Sequence, residues 1–353
     1  VAVRVVQWAT GDVGRFCLQQ VIDDSDLELV GVWVSSPEKD GRDAGELCDR
    51  PVTGVTATMS KDAILALDAD VVLHTSAPFG RFDDDVANLL ASGKNVVSTV
   101  AYFSPRIDGP SVVDPLEAAC TAGNATLFGT GLDPGFVADR AAALMTGSVT
   151  QIRRIDMVET LDVSTYPATQ LLRDIGFGKP PSELQFDNEY IQHFVTRMFP
   201  AAIGKLADQL GLELDEVRPT GMPELALASR DLDIAIGHLP KGSITGASHE
   251  FGGYCNGELL LTHKWVHFAD REGSPTHWPM PPEPKPGEVM PYRALIDIMG
   301  RPNLSVDMLW TDVEDTVFLP TATIAVQSIP EVVAAAPGIL LETSFGAWRA
   351  GRR

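Results

Sequence analysis

Nowhere in the 353 residues does an apolar run reach the roughly 20 residues that a membrane-spanning helix needs, so no membrane partner is expected. A basic stretch leading into an apolar one is also missing at the start, because a strand pattern begins at once. The expected compartment is therefore the cytoplasm, and the lack of an opening Met leaves room for a short preceding piece. Cysteine is scarce. Cys17, Cys48, Cys120 and Cys255 form no C-x-x-C pair, which argues against a zinc site or a disulfide framework and suits small buried hydrophobes in a reducing compartment. Positive charge is short too: 27 Lys and Arg face 48 Asp and Glu, a net charge of −21. Such a surface repels phosphate backbones, so nucleic acid is not an expected partner. No G-x-S-x-G, P-loop or H-E-x-x-H occurs, which leaves hydrolase and kinase chemistry without support. Internal repeats are absent as well.

What is present is an ordinary globular balance, 44% hydrophobic and 21% charged, in a chain long enough for two domains. Up to Gly129 apolar runs alternate with helical stretches. Strands are expected at Val3–Val6, Leu27–Val34, Val55–Met59, Ala69–Thr75, Asn95–Thr99 and Thr126–Gly129. Helices are expected at Phe16–Ile22, Ser60–Leu65 (with Ser60 as N-cap), Phe82–Ser92 and Pro115–Ala122. This spacing implies β-α-β units and a parallel sheet. After Gly135 the pattern changes. Gln151–Leu161 and Gly257–Phe268 read as longer strands of an antiparallel or mixed open sheet. Glu183–Leu210 has helical spacing, and Asp231–His249 reads as a hairpin around Pro240-Lys241-Gly242. Ser274–Pro291, with seven prolines, should be a stiff loop, and Thr321–Ala336 a final helix. The expected fold is thus α/β: a Rossmann-type parallel sheet over residues 1–136 and an α+β domain over 137–320. A C-terminal helix and tail over 321–353 is expected to pack back on the first domain.

The chemistry concentrates in loops that follow strands. Thr10-Gly11-Asp12-Val13-Gly14 lies between strand one and a helix, the context of a pyrophosphate site, where backbone N–H groups and the helix dipole meet an anion. Ala9 stands where the full G-x-G-x-x-G fingerprint has its first Gly, so an ordinary βα turn is the competing reading. After strand two comes Ser35 rather than the acid that holds an NAD ribose. Ser35 and Ser36 can donate to a 2′-phosphate and Lys39 or Arg42 can neutralise it, which favours NADP, while Glu38 reaching back to a ribose would favour NAD. Thr75, Ser76 and Ala77 follow another strand, at the sheet edge where ligands bind in open α/β folds, and Thr99 should lie nearby. The run from Gly129 through Gly131, Asp133 and Gly135 to Phe136 is the densest glycine cluster. It reads either as a close backbone approach to a flat ring or as a hinge. His263 and His267 flank Trp265 on one strand face with no acid or Cys at ligand spacing, so no metal is expected.

Four segments carry a resemblance: Ser36–Leu47, Gly129–Phe136, Leu171–Gly178, and Val326–Pro330 with Ala336-Pro337-Gly338. Spread over nearly the whole chain, they resemble the 2,4-diaminopentanoate dehydrogenase and native amine dehydrogenase family and, more distantly, dihydrodipicolinate reductases. The resemblance implies a Rossmann domain, an α+β domain, a nicotinamide cofactor at the cleft and a homodimer. It also implies a substrate pocket lined by Tyr166, His193 and Phe136, with Tyr190 close by. One departure matters. Where amine dehydrogenases of this family carry adjacent glutamates after the Ser-Thr strand end, this chain reads Ser98-Thr99-Val100-Ala101-Tyr102-Phe103. Tyr102 can donate a proton but is a poor base. Asp133, where the family usually has Asn, reads either as a returned carboxylate or as a helix N-cap. The expected function is hydride transfer between nicotinamide C4 and a small carbonyl or imine compound. Reductive amination and a non-catalytic NADP(H) sensor are the alternatives.

Overall fold

The computed structural model describes residues 2–76, 83–166, 169–184 and 194–351, and the chain divides into two compact units. The first comprises Val1–Phe136 and Val317–Glu342, the second Val137–Thr316 and Thr343–Arg353.

The first unit is built on β1 (Val3–Trp8), β2 (Leu27–Trp33), β3 (Ala57–Thr58), β4 (Val71–His74), β5 (Asn95–Ser98) and β6 (Thr126–Gly129). Together with Gly338–Ile339 they form a parallel sheet in the order Gly338–Ile339, β6, β5, β4, β1, β2, β3. The helices are α1 (Asp12–Asp23), α2 (Lys61–Leu65), α3 (Asp83–Ala91), α4 (Pro105–Asp108) and α5 (Pro110–Gly123). Both faces of the sheet are covered, so its strands are apolar throughout. On one face Val6, Val72, Val96 and Leu127 pack with Val86, Leu89 and Leu90 of α3 and Leu116 and Cys120 of α5. The alternate residues Val5, Val71, Leu73, Val97 and Phe128 meet Phe16, Cys17 and Val21 of α1 and the C-terminal helices on the other. Ser60 caps α2 as expected, its side chain accepting from Ala63 N. Helix α5 begins five residues before the expected Pro115, because Pro110 fits the first helical position, where no N–H is needed.

The expected final helix is two helices, Phe318–Gln327 and Ile329–Ala334, parted at Ser328. Pro330 explains the break, since its ring would clash with the Val326 carbonyl in one continuous helix. The expected tail also divides. Residues to Glu342 belong to the first unit, whereas Trp348 N donates to Thr146 Oγ1 (2.9 Å) and Ala350 N to Leu210 O (2.9 Å) in the second.

The second unit holds β7 (Thr150–Asp162), β8 (Glu216–Pro219), β9 (Glu224–Leu227), β10 (Leu232–Ile234), β11 (Gly237–Leu239), β12 (Ile244–Cys255), β13 (Glu258–Phe268), β14 (Tyr292–Arg301) and β15 (Leu304–Trp310). The main sheet runs β15, β14, β7, β13, β12, β8, with β9 also on β12. It is mixed: β7 and β13 are parallel and the other pairs antiparallel. Helix Phe199–Leu210 lays Ala202, Ile203, Leu206 and Leu210 over Ile155, Met157, Leu261, Ile296 and Ile298. Each fully buried aliphatic side chain there contributes roughly 1.5–3 kcal/mol. The expected hairpin is displaced. β10 pairs with β11 across Ala235-Ile236, while Pro240-Lys241-Gly242 leads into β12, which pairs with β13 instead. Strands β14 and β15 extend the sheet beyond what was read from the sequence. Ser274–Pro291 contains neither helix nor strand.

Candidate functional site

At the end of β1 the chain turns sharply through Ala9, whose φ of +74° is the left-handed conformation that glycine usually supplies. Gly11 is the N-cap of α1 and gives the helix no side-chain cap. A Cβ on Gly11 would meet nothing within 4 Å, whereas one on Gly14 would lie 2.3 Å from Ala9 O and 2.8 Å from Thr75 Oγ1. Gly14 is thus required for close packing of helix and strand, and Gly11 leaves open the space in front of the first-turn N–H groups of Asp12 and Val13. Gln7 Nε2 braces the turn, donating to Ala9 O and to Thr75 Oγ1 (both 2.7 Å). Thr75 therefore supports the turn, and Ser76 beside it is buried.

The loop after β2 returns to the same place. Lys39 Nζ donates to Thr10 O (2.7 Å) and Thr10 Oγ1 (3.1 Å), setting a cation against the turn. Ser35 is exposed. The Ser36 hydroxyl donates to the Glu38 carboxylate, and that bond holds Glu38 below the usual carboxylate range. Trp8 and Trp33, ending the two strands, stack with ring centroids 4.4 Å apart.

Beyond β4 and β5, His74 Nδ1 lies 3.1 Å from Ser98 Oγ, and burial pushes the imidazole down to about 3, so it is neutral at physiological pH. Thr99 Oγ1 is a buried hydroxyl with no hydrogen-bond partner among the described residues. An unclaimed polar atom at this edge, a helix start with open N–H groups and an adjacent lysine all fit an anionic dinucleotide. Tyr102, at φ +66° and 3% exposed, donates its phenol hydrogen to Asp83 Oδ1 (2.8 Å). A Cβ on Gly129 would lie 2.3 Å from Tyr102 O, and one on Gly135 2.1 Å from Gly131 N, so both glycines are needed for close backbone packing. Asp133 and Phe136 lie half-buried in the same glycine-rich run. Ala77 lies outside the described residues.

In the second unit Tyr166 packs on Val163, Leu172 and Phe177. Tyr190 and His193 fall outside the described residues. His263 differs from its sequence reading, which found no acid near it. Parallel pairing of β7 with β13 brings Glu159 Oε1 to 2.8 Å from His263 Nε2. Trp265 Nε1 donates to His263 Nδ1 (2.9 Å), and the Tyr292 hydroxyl donates to Glu159 Oε2. Glu159, Tyr292 and Asp83 were missed because their partners lie 104, 133 and 19 residues away in sequence. The available signal for Glu159 was a lone acid among the apolar positions of a long strand.

No family model matches the sequence. An amine dehydrogenase of Streptomyces virginiae is 32% identical over 319 residues, covering 88% of this chain and 86% of that protein. The chain belongs to the amine dehydrogenase family. It is an oxidoreductase of the hydride-transferring kind. A 2,4-diaminopentanoate dehydrogenase of Acetoanaerobium sticklandii is 24% identical, over 73% of this chain and 74% of that one. The amine dehydrogenase structure from Mycobacterium smegmatis shares the fold, with a TM-score of 0.77 over all of this chain and 98% of that one at 20% identity. The stretch Ser98–Phe103 of this chain holds no glutamate.

Proposed function

We propose that this amine dehydrogenase relative binds a nicotinamide dinucleotide at the carboxyl edge of its parallel sheet and moves hydride between nicotinamide C4 and a small carbonyl or imine compound. The observation that carries the reading is the turn Ala9–Gly14, where α1 starts without a side-chain cap, open space fronts Gly11 and Lys39 stands against Thr10. The cofactor supplies the hydride; the protein orients it and handles protons. Thr10, Gly11, Asp12, Val13 and Gly14 receive the pyrophosphate. Thr75, Ser76, Thr99 and Gly135 border the ring.

NADP is the preferred form. No acid directly follows β2, Ser35 is exposed, and Lys39 supplies charge to a 2′-phosphate. Ser36 joins them by releasing Glu38. Tyr102, with Asp83 as its partner, and Asp133 carry the proton at this edge, and the family resemblance supports a homodimer.

Titration with NADPH and NADH at equal salt, followed by turnover on ketones and aldehydes with and without ammonia, tests the reading. Tighter NADPH binding with reduction of at least one compound is expected. Absence of binding by either cofactor overturns it. Preference for NADH would make Glu38 the ribose ligand.

A further inference from the structure

Strand β1 is apolar except at Arg4, near its start, and Gln7, near its end. Gln7 is wholly buried, at 0% exposure. Its Oε1 has no hydrogen-bond partner among the described residues, so the amide costs the strand stability that an apolar side chain of the same length would not. Both amide hydrogens, by contrast, are used. Nε2 lies 2.7 Å from Ala9 O and 2.7 Å from Thr75 Oγ1. A carbonyl oxygen only accepts, which fixes the amide nitrogen on that side. Thr75 Oγ1 accepts from Gln7 and turns its own hydrogen to Trp8 O (3.2 Å) or Ala9 O (3.1 Å). The Ala9 carbonyl is thereby held inward, toward Gln7 and Gly14. The Ala9–Thr10 peptide is trans, so the Thr10 N–H points the opposite way from that carbonyl. Among the described residues the backbone N–H groups of Thr10 and Gly11 make no hydrogen bond.

We propose that Gln7 is a positioning residue for the dinucleotide: by holding the Ala9 carbonyl inward, it aims the Thr10 N–H at the pyrophosphate. This role rests on the cofactor reading above and adds to it a buried side chain that acts only through the turn. Without the amide, rotation of the Ala9–Thr10 peptide brings the carbonyl oxygen to where the N–H stood and sets a partial negative charge against the phosphates. The left-handed backbone at Ala9 is unfavourable for alanine, so the turn relies on the amide more than it would with glycine there. Gln7 thus exchanges strand stability for a fixed peptide orientation, and every group involved belongs to the first unit.

The test compares the full-length wild type with Gln7→Met, which keeps the side-chain length and removes both amide hydrogens. NADPH and NADH are titrated by fluorescence at equal salt, and the thermal midpoint of the free protein reports the fold separately. Gln7→Met should bind both cofactors about tenfold more weakly, and by the same factor, because the pyrophosphate is common to them. In the Ala9→Gly background the same substitution should cost about threefold or less, since glycine adopts the turn without strain. A side chain that merely packs β1 would lower the midpoint and show no such dependence on position 9. Unchanged affinity in folded Gln7→Met, a loss confined to NADPH, or an equal loss with and without Ala9→Gly overturns the proposal. Wild-type protein that binds neither cofactor overturns the cofactor reading instead. If Gln7→Met does not fold, Gln7→Asn carries the test. It keeps an amide but draws it back by one methylene, out of reach of Ala9 O, and should weaken both cofactors by about tenfold. Unchanged affinity in Gln7→Asn overturns the proposal equally.

Discussion

Gly11 and Gly14 stand three residues apart, and substituting them should do different damage. A side chain on Gly11 enters open space, so Gly11→Val should leave the unfolding midpoint unchanged and weaken NADPH binding by over about tenfold, read by fluorescence titration. A Cβ on Gly14 meets the Ala9 carbonyl at 2.3 Å, so Gly14→Val should lower the midpoint itself. Ala9, at φ +74°, points the other way: Ala9→Gly relieves a left-handed alanine and should stabilise the first unit by about 1 kcal/mol in a denaturant titration. Tyr102→Phe removes the hydrogen given to Asp83 and should lower kcat on the best ketone by roughly a hundredfold. An unchanged rate would reduce Tyr102 to a packing residue.

The loop after β2 and the strands of the second sheet show how far elements were legible in the sequence. Parallel strands buried on both faces announce themselves as short apolar runs, which is why β1 to β6 lie close to where they were read. The glycine turn was equally legible, because its signal is local. Partners joined across a sheet were not. Glu159 becomes a site candidate only once β7 lies beside β13 and β14, and one sequence carries no record of that pairing. The same limit displaced the hairpin, since the turn at Pro240-Lys241-Gly242 is real but the strand after it pairs elsewhere. Lys39 supplies an element-scale prediction. Its ammonium ties the β2 loop to the phosphate turn at Thr10, so Lys39→Met should weaken NADPH binding by about tenfold and NADH binding by less. Equal losses for the two cofactors would assign Lys39 to the pyrophosphate rather than to the 2′-phosphate.

At the scale of the whole molecule, desolvation pushes His74, His249 and His267 well below the ordinary imidazole range. His74 is pushed down to about 3, and His249 and His267 to about 4, against an ordinary value of 6.5. The unfolded chain takes up these protons near 6.5 and the folded chain does not, so folding stability is complete above that value. It should fall as the pH drops from about 6.5 toward 4. Thermal unfolding followed from about pH 7.5 down to 4.5 should show a steadily declining midpoint, and a flat profile would show that the imidazoles are solvated. Among the described residues no helix is long and apolar enough to cross a membrane. The stacked pair Trp8 and Trp33 gives such experiments a spectroscopic handle. Two indoles with centroids 4.4 Å apart couple their excited states, producing a near-ultraviolet circular dichroism couplet that neither ring has alone. Both rings belong to the first unit. Loss of that couplet therefore times the melting of the parallel sheet separately from the mixed sheet, and a dinucleotide settling beside the turn should perturb it before any catalysis begins.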